Sequence, residues 1–355
     1  MAPDPVAAAG AGLRRPALAG VRTALASAGS PPTRGGAGRV GRGTARLGGG
    51  ALVKVAVVTD EVSADLESAL ELAAQWNLRA VELRGVGEGR VPLVSPYWRR
   101  RIVDLVRAWE LEVVALSPGL FKIPLPEPIP DAHRVLRWQD AEEVSRVARQ
   151  EELLALHRGA LLDQTIELAQ QLGARLVVAF SFLKPHGASF AQCPDAVVAL
   201  LREAAERVHR AGLQLALENE HVCWADTGQH AAELTHRVDH PALGINWDPA
   251  NAFFAEETPY PDGYRAVASR VLHVHFKDAV RRPEGHVYAV EGEIDWPGQI
   301  RALARDGYGG HVSVETHCVP KIASAAAGLV RLRTLLAEAG VAGEVGAGVR
   351  RSDLR

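Results

Sequence analysis

Eight short apolar runs, each followed by a longer stretch of helical periodicity, constrain this chain more than any other feature of its 355 residues. The runs fall at 53–58, 80–83, 112–116, 176–180, 213–217, 243–247, 271–276 and 310–314. Most are apolar nearly throughout and do not alternate, the pattern of parallel strands covered on both faces. Between the first two, Leu66, Ala69, Leu70, Ala73 and Ala74 share one helical face; between the fourth and fifth, Val197, Leu200, Leu201, Ala204, Ala205 and Val208 do the same. Strand-then-helix units repeated in this way, closed by a helix at about 324–339, predict an α/β fold, a (β/α)8 TIM barrel over residues 51–340. An open doubly wound sheet would need a glycine-rich phosphate turn after the first strand, and Thr59-Asp60-Glu61-Val62 is not one.

The two ends of the chain read differently. Residues 1–50 hold 12 Gly, 12 Ala, 7 Arg and 5 Pro, no aromatic side chain and one acid, Asp4. With so little to bury they cannot offset the entropy of ordering, so a disordered extension is expected there, and a flexible tail over 341–355. A transit peptide or a basic arm for nucleic acid is the alternative for an arginine-rich start. The formal net charge is −2, and removing the extension leaves about −8 on the barrel, which argues against a nucleic-acid partner. No apolar run reaches the roughly 18 residues of a membrane span. Cys193, Cys223 and Cys318 lie far apart without a Cys-x-x-Cys pair, so neither disulfides nor a thiolate zinc site is expected, and the cytoplasm is the default compartment.

One connection is long. After the third strand come residues 118–130 and then a helical stretch from about 134 to 172. Ser117-Pro118-Gly119-Leu120-Phe121-Lys122-Ile123-Pro124 leaves a strand's C-terminal end, where barrel active sites lie, and reads equally as a lid and as packing.

The last four strands end in groups that bind metals: Glu218, Asp248, His275 and Glu315. A barrel brings these ends to one mouth. Singly, each is an ordinary polar residue at a strand end; together, three carboxylates repel unless a cation lies among them. With one imidazole they suit a hard or borderline divalent ion such as Mn²⁺, Mg²⁺, Co²⁺ or Zn²⁺. His221, just past Glu218, is placed to reach the mouth. Lys277 either contacts substrate or pairs with a carboxylate such as Asp278. Glu82 and Arg84, ending the second strand, either serve the site or pair with each other, and His273 reads as a core histidine sharing a face with His275.

These residues sit in motifs. Val81-Glu82-Leu83-Arg84, Leu217-Glu218-Asn219, Trp247-Asp248-Pro249-x-Asn251, His275-Phe276-Lys277-Asp278, Glu291-Gly292-Glu293-Ile294-Asp295-Trp296 and Gly307-Tyr308-x-Gly310 follow in order. In that order and spacing, over roughly residues 53–338, the chain resembles the sugar phosphate isomerase/epimerase family, the xylose-isomerase-like barrels. The resemblance implies one divalent metal held by Glu218, Asp248, His275 and Glu315, with Glu218 and Glu315 as the catalytic pair on opposite faces of a bound sugar. It also implies that His286, six residues before Gly292, lines the mouth. The expected partner is a small carbohydrate; homo-oligomerisation is left open.

A metal that engages a carbonyl and its neighbouring hydroxyl makes the adjoining C–H acidic through an enediolate. Returning the proton to the other face gives epimerisation, and returning it to the next carbon gives isomerisation. Expelling a β-hydroxyl makes the protein a dehydratase, of the inosose or dehydroshikimate type. A DNA-repair endonuclease on this barrel needs further histidine ligands, where this chain has Arg84, Ser117 and Asn251. A non-catalytic sugar-binding module would not need paired glutamates at a metal.

Overall fold

The computed structural model describes residues 53–126 and 141–341. The strands in chain order are β1 (Lys54–Val58), β2 (Ala80–Leu83), β3 (Gly85–Val86), β4 (Gly89–Arg90), β5 (Glu112–Leu120) and β6 (Leu176–Ala179). They continue with β7 (Gln214–Glu218), β8 (Leu243–Trp247), β9 (Val271–Phe276), β10 (Asp278–Arg282), β11 (Gly285–Ala289) and β12 (His311–Val314). Eight of them, β1, β2, β5, β6, β7, β8, β9 and β12, form a closed barrel, each parallel to the next in the chain, with β12 pairing back onto β1. This is the eight-unit barrel that the apolar runs predict. The expectations for residues 1–50 and for the tail after Val341 lie outside the described residues, as does the start of the long helical stretch.

The helices pack on the barrel as their periodicity requires. Asp195–Arg210 buries Val197, Leu200, Leu201, Ala204, Ala205 and Val208, the whole apolar face read from its spacing. Side chains cap other helices: Asp65 accepts from Ser68 N at 2.8 Å and Thr227 from His230 N at 3.0 Å, each satisfying a free first-turn N–H. Among the described residues no helix is long and apolar enough to cross a membrane.

Two short hairpins at the mouth were not read from the sequence. β3 and β4 pair just after β2, and β10 with β11 just after β9. The second is pinned by Asp278, whose carboxylate accepts from the backbone N–H of Ala279 (2.8 Å), Gly292 (2.9 Å) and Ile294 (3.2 Å). Gly292 is required there, because a Cβ would stand 2.2 Å from Ala279 O.

The stretch after the third barrel strand is wall, and the lid alternative is corrected. β5 runs on to Leu120, four residues past its expected end, with its register to β6 shifting between Leu116 and Leu120. Leu120 and Phe121 are buried, and the Phe121 ring stacks on Phe182 at 4.8 Å. Apolar side chains at three of these positions have a core to enter, and burying them outweighs the irregular backbone. Phe121 has a positive φ, 63°, and its N–H donates to His157 Nδ1 at 2.8 Å.

Burial lowers the His157 pKa to about 4 from an ordinary 6.5. The unfolded chain therefore takes up this proton before the folded one, so the contribution to stability is intact above pH 6.5 and is lost as pH falls toward 4. In urea titrations at pH 7.5 and pH 5, the loss of midpoint on acidification is expected to be smaller in His157→Asn than in the wild type. Parallel losses would show that His157 does not carry it.

Candidate metal centre

Glu218 closes β7, Asp248 follows β8, His275 is the penultimate residue of β9 and Glu315 follows β12. Parallel strands deliver these four to the same end of the barrel, and one ligand atom from each lies within 4.8 Å of the others. None is more than 4% exposed. His275 Nδ1 faces the carboxylates, 3.2 Å from Glu315 Oε2, 3.5 Å from Glu218 Oε1 and 3.8 Å from Asp248 Oδ2.

Neighbouring residues fix the direction of each donor. Asp248 Oδ1 caps the helix Pro249–Phe254 by accepting from Asn251 N at 2.9 Å, which turns Oδ2 into the cluster. Asn219 clamps the Asp248 backbone, accepting from its N and donating to its O, both at 2.8 Å. Asn251 Nδ2 donates to Glu218 Oε1 at 3.2 Å and to Asn219 O at 2.9 Å. Behind the cluster, His275 Nε2 lies 3.2 Å from both Glu82 oxygens, and Glu82 also takes His273 Nε2 (2.9 Å) and the Ser117 hydroxyl. Burial works to raise the Glu82 pKa, but His275 and His273 hold it well below the usual carboxylate range. The ring thus turns Nε2 toward Glu82 and Nδ1 toward the carboxylates, the orientation that carboxylate partners impose on metal-binding histidines.

The donor set fits a divalent cation. Asp248 Oδ2 is fully buried and accepts no well-formed hydrogen bond, although Lys277 Nζ stands 2.7 Å away. Lys277 also reaches Glu315 Oε2 at 2.9 Å, and Arg84 pairs with Glu315 Oε1. Burial opposes ionisation of Glu315, but Lys277, His317 and His275 keep its pKa well below normal. Burial would likewise lower the Lys277 pKa, and Asp248 with Glu315 raise it well above the ordinary value. Three buried carboxylates and an imidazole of this kind are hard and borderline ligands, suited to Mn²⁺, Mg²⁺, Co²⁺ or Zn²⁺.

The cluster opens into a cavity of about 260 Å³ whose wall includes Glu218, His275, Lys277 and Glu315. Lys277 thus belongs to the site and pairs with Asp248 and Glu315, whereas Asp278 is turned to the hairpin and Arg331. His221 and His286 are not in this wall. His221 sits beside it, with Nδ1 3.0 Å from Glu220 Oε1 and its ring 5.0 Å from Phe254. His286 stands on the β10–β11 hairpin, in a groove with Phe254, Tyr288 and His317 beside the cavity; it accepts from Arg281 Nε at 3.2 Å and packs on Phe253 and Phe254. Glu82 and Arg84 do not pair: Arg84 lies one step beyond β2, and Glu82 is taken by His273, His275 and Ser117. Arg84 instead joins Asp60 (3.0 Å), Glu61 (2.5 Å) and Glu315.

Sequence reasoning missed Asp60, Glu61, Arg90, Lys122, Glu220 and His317. Glu61 accepts from His317 N at 2.8 Å, and although burial works to raise its pKa, His317 and Arg84 bring it to about 2. Glu220 likewise falls to about 2 against the effect of burial, through His221 and Lys122. Extending the strand-end criterion to β1 would have found Asp60 and Glu61. Nothing local marks Lys122, whose position follows from the extended β5.

A family model described as xylose isomerase-like TIM barrel matches residues 70–335. No curated protein matches the chain in sequence. Among solved structures, a D-tagatose 3-epimerase-like protein is 23% identical with a TM-score of 0.60, over 81% of this chain and 98% of the other. The probable 3-DHS dehydratase AsbF of Bacillus anthracis, involved in petrobactin synthesis, is 18% identical with a TM-score of 0.57, over 79% and 99%. The IOLI protein with a bound zinc atom is 17% identical with a TM-score of 0.58, over 81% and 98%.

After exhaustive chelation, adding Mn²⁺ is expected to raise the thermal midpoint, by about 2.7 kcal/mol of stabilisation when the free ion reaches 100 times its Kd. In Asp248→Ala the rise should disappear and bound metal should fall well below one per chain. An unchanged Mn²⁺ response in that variant would contradict the ligand assignment.

Proposed function

The chain belongs to the xylose isomerase-like TIM-barrel family, and within it we propose a divalent-metal-dependent isomerase or epimerase of a small sugar or sugar derivative. The observation that carries this is the placement of two glutamates, Glu218 and Glu315, in one four-donor cluster that opens into a cavity the size of a small molecule. A divalent ion held by Glu218, Asp248, His275 and Glu315 would polarise a carbonyl and stabilise the negative charge that develops when the adjoining C–H loses its proton.

The two glutamates differ in their surroundings. Glu218 contacts the amides of Asn246 (3.2 Å) and Asn251 (3.2 Å) and the His275 ring, and among the described residues no Lys or Arg forms an ion pair with it. Glu315 is held by Arg84 and Lys277, so protonating it breaks two ion pairs. We assign the first proton abstraction to Glu218. Glu315 then serves as the second member of the pair, with Lys277 as its proton reservoir. His221 and His286, outside the cavity wall, would meet only a substrate that extends past the mouth.

A dehydratase is the second candidate, favoured by Lys277 itself, a buried ammonium between Asp248 and Glu315 that can donate a proton to a departing hydroxyl. The barrel neighbours include proteins named for each chemistry. Three free cysteines, Cys193 and Cys223 buried, agree with the reducing cytoplasm as the place of action.

The test is deuterium wash-in. Mn²⁺-loaded protein incubated in D₂O with ketoses, ketose phosphates and inososes should place deuterium at one carbon of one of them without loss of water. Glu218→Gln and Glu315→Gln should each slow this exchange by roughly 10²–10⁴. Water loss would select the dehydratase, and absence of exchange across the panel would contradict both.

A further inference from the structure

Four cationic side chains line the cavity, and three are committed to carboxylates. Arg84 is taken by Asp60, Glu61 and Glu315, Lys122 by Glu220, and Lys277 by Asp248 and Glu315. Arg90 is different. Among the described residues no carboxylate lies within ion-pair distance of it, and its one protein hydrogen bond runs from Nε to Ser117 O at 2.9 Å.

Its place is built by three features of the fold. The β3–β4 hairpin ends on Arg90 and turns it back over the mouth. β5, carried past its expected end, supplies the Ser117 carbonyl. Gly119, at φ 78°, leaves the room: a Cβ there would stand 3.2 Å from Arg90 Nε. The guanidinium is thus laid across a bare glycine and tethered by one N–H. With Nε engaged, the terminal Nη1 and Nη2 edge remains, a planar fork that matches the two oxygens of a carboxylate.

We infer that Arg90 is the specificity-determining residue for a carboxylate on the substrate, so that the sugar or polyol handled here is a carbohydrate acid. This rests on the proposed function of the same cavity and deepens it. The charge supports a monoanion. One unpaired Lys or Arg side chain faces the cavity, whereas a phosphate ester carries close to two negative charges and three acceptor oxygens.

The test is a binding comparison on metal-loaded wild type, Arg90→Gln and Arg90→Lys, with D-glucuronate and D-galacturonate set against D-glucose, D-galactose and their 6-phosphates. In the wild type one uronate should bind about 10- to 100-fold more tightly than its neutral sugar, the size of a charge-assisted pair. In Arg90→Gln, where the amide can still donate to Ser117 O, that ratio should fall to about one; Arg90→Lys should keep part of it. Equal binding of uronate and neutral sugar by the wild type, absence of uronate binding, or a ratio unchanged in Arg90→Gln would each overturn the inference. Tighter, Arg90-dependent binding of a 6-phosphate would replace carboxylate by phosphate and overturn it too. Binding does not need turnover, so failed deuterium exchange with an intact uronate preference would remove the proposed reaction and leave Arg90 in place.

Discussion

Three carboxylates gathered in a buried mouth repel one another, and the rest of the site is arranged around that repulsion. Two like charges some 4 Å apart interact by roughly 4 kcal/mol at the effective dielectric of a protein rim. Glu218, Asp248 and Glu315 make three such pairs within 4.8 Å, which is a large fraction of the stability of a single domain. Lys277 and Arg84 offset part of it at Glu315 and Asp248. Among the described residues no Lys or Arg forms an ion pair with Glu218, and Asp248 Oδ2 is left without a well-formed hydrogen bond. That is the geometry a divalent cation would complete.

The barrel makes the arrangement reproducible. Parallel strands in sequential order set Glu218 beside Asn246 and His275 beside Ser313 in register, so side chains separated by tens of residues converge without a flexible arm. Amides then aim the donors. Asn219 and Asn251 hold the backbone and carboxylates of Glu218 and Asp248, while Glu82 and His273 fix the His275 ring from below. Each donor is therefore oriented before any ligand arrives, which reduces the ordering cost that binding must meet.

The barrel was legible because its signal is repeated and regular. Apolar runs covered on both faces and helices with one apolar stripe leave few alternatives. The four donors were legible for the same reason, since each stands where an apolar run stops. What escaped was set by short-range backbone departures that carry no periodicity. β5 runs four residues beyond Leu116 and carries Lys122 into the cavity wall, so an expected loop is wall. The β10–β11 hairpin sets His286 outside the cavity wall, in a neighbouring groove with His317, and His221 pairs with Glu220. Arg84 was weighed as a partner of Glu82, but His273 and His275 take Glu82, and only the fold puts Asp60 and Glu61 within reach of Arg84.

The most direct measurement is an anomalous difference map from a crystal of the protein grown with Mn²⁺, collected near the manganese edge. The expected result is one strong peak within coordination distance of Glu218, Asp248, His275 Nδ1 and Glu315, with Lys277 displaced from Asp248 to make room. A map with no peak at the mouth, or with the ion bound elsewhere while the four side chains keep their present contacts, would contradict the metal centre.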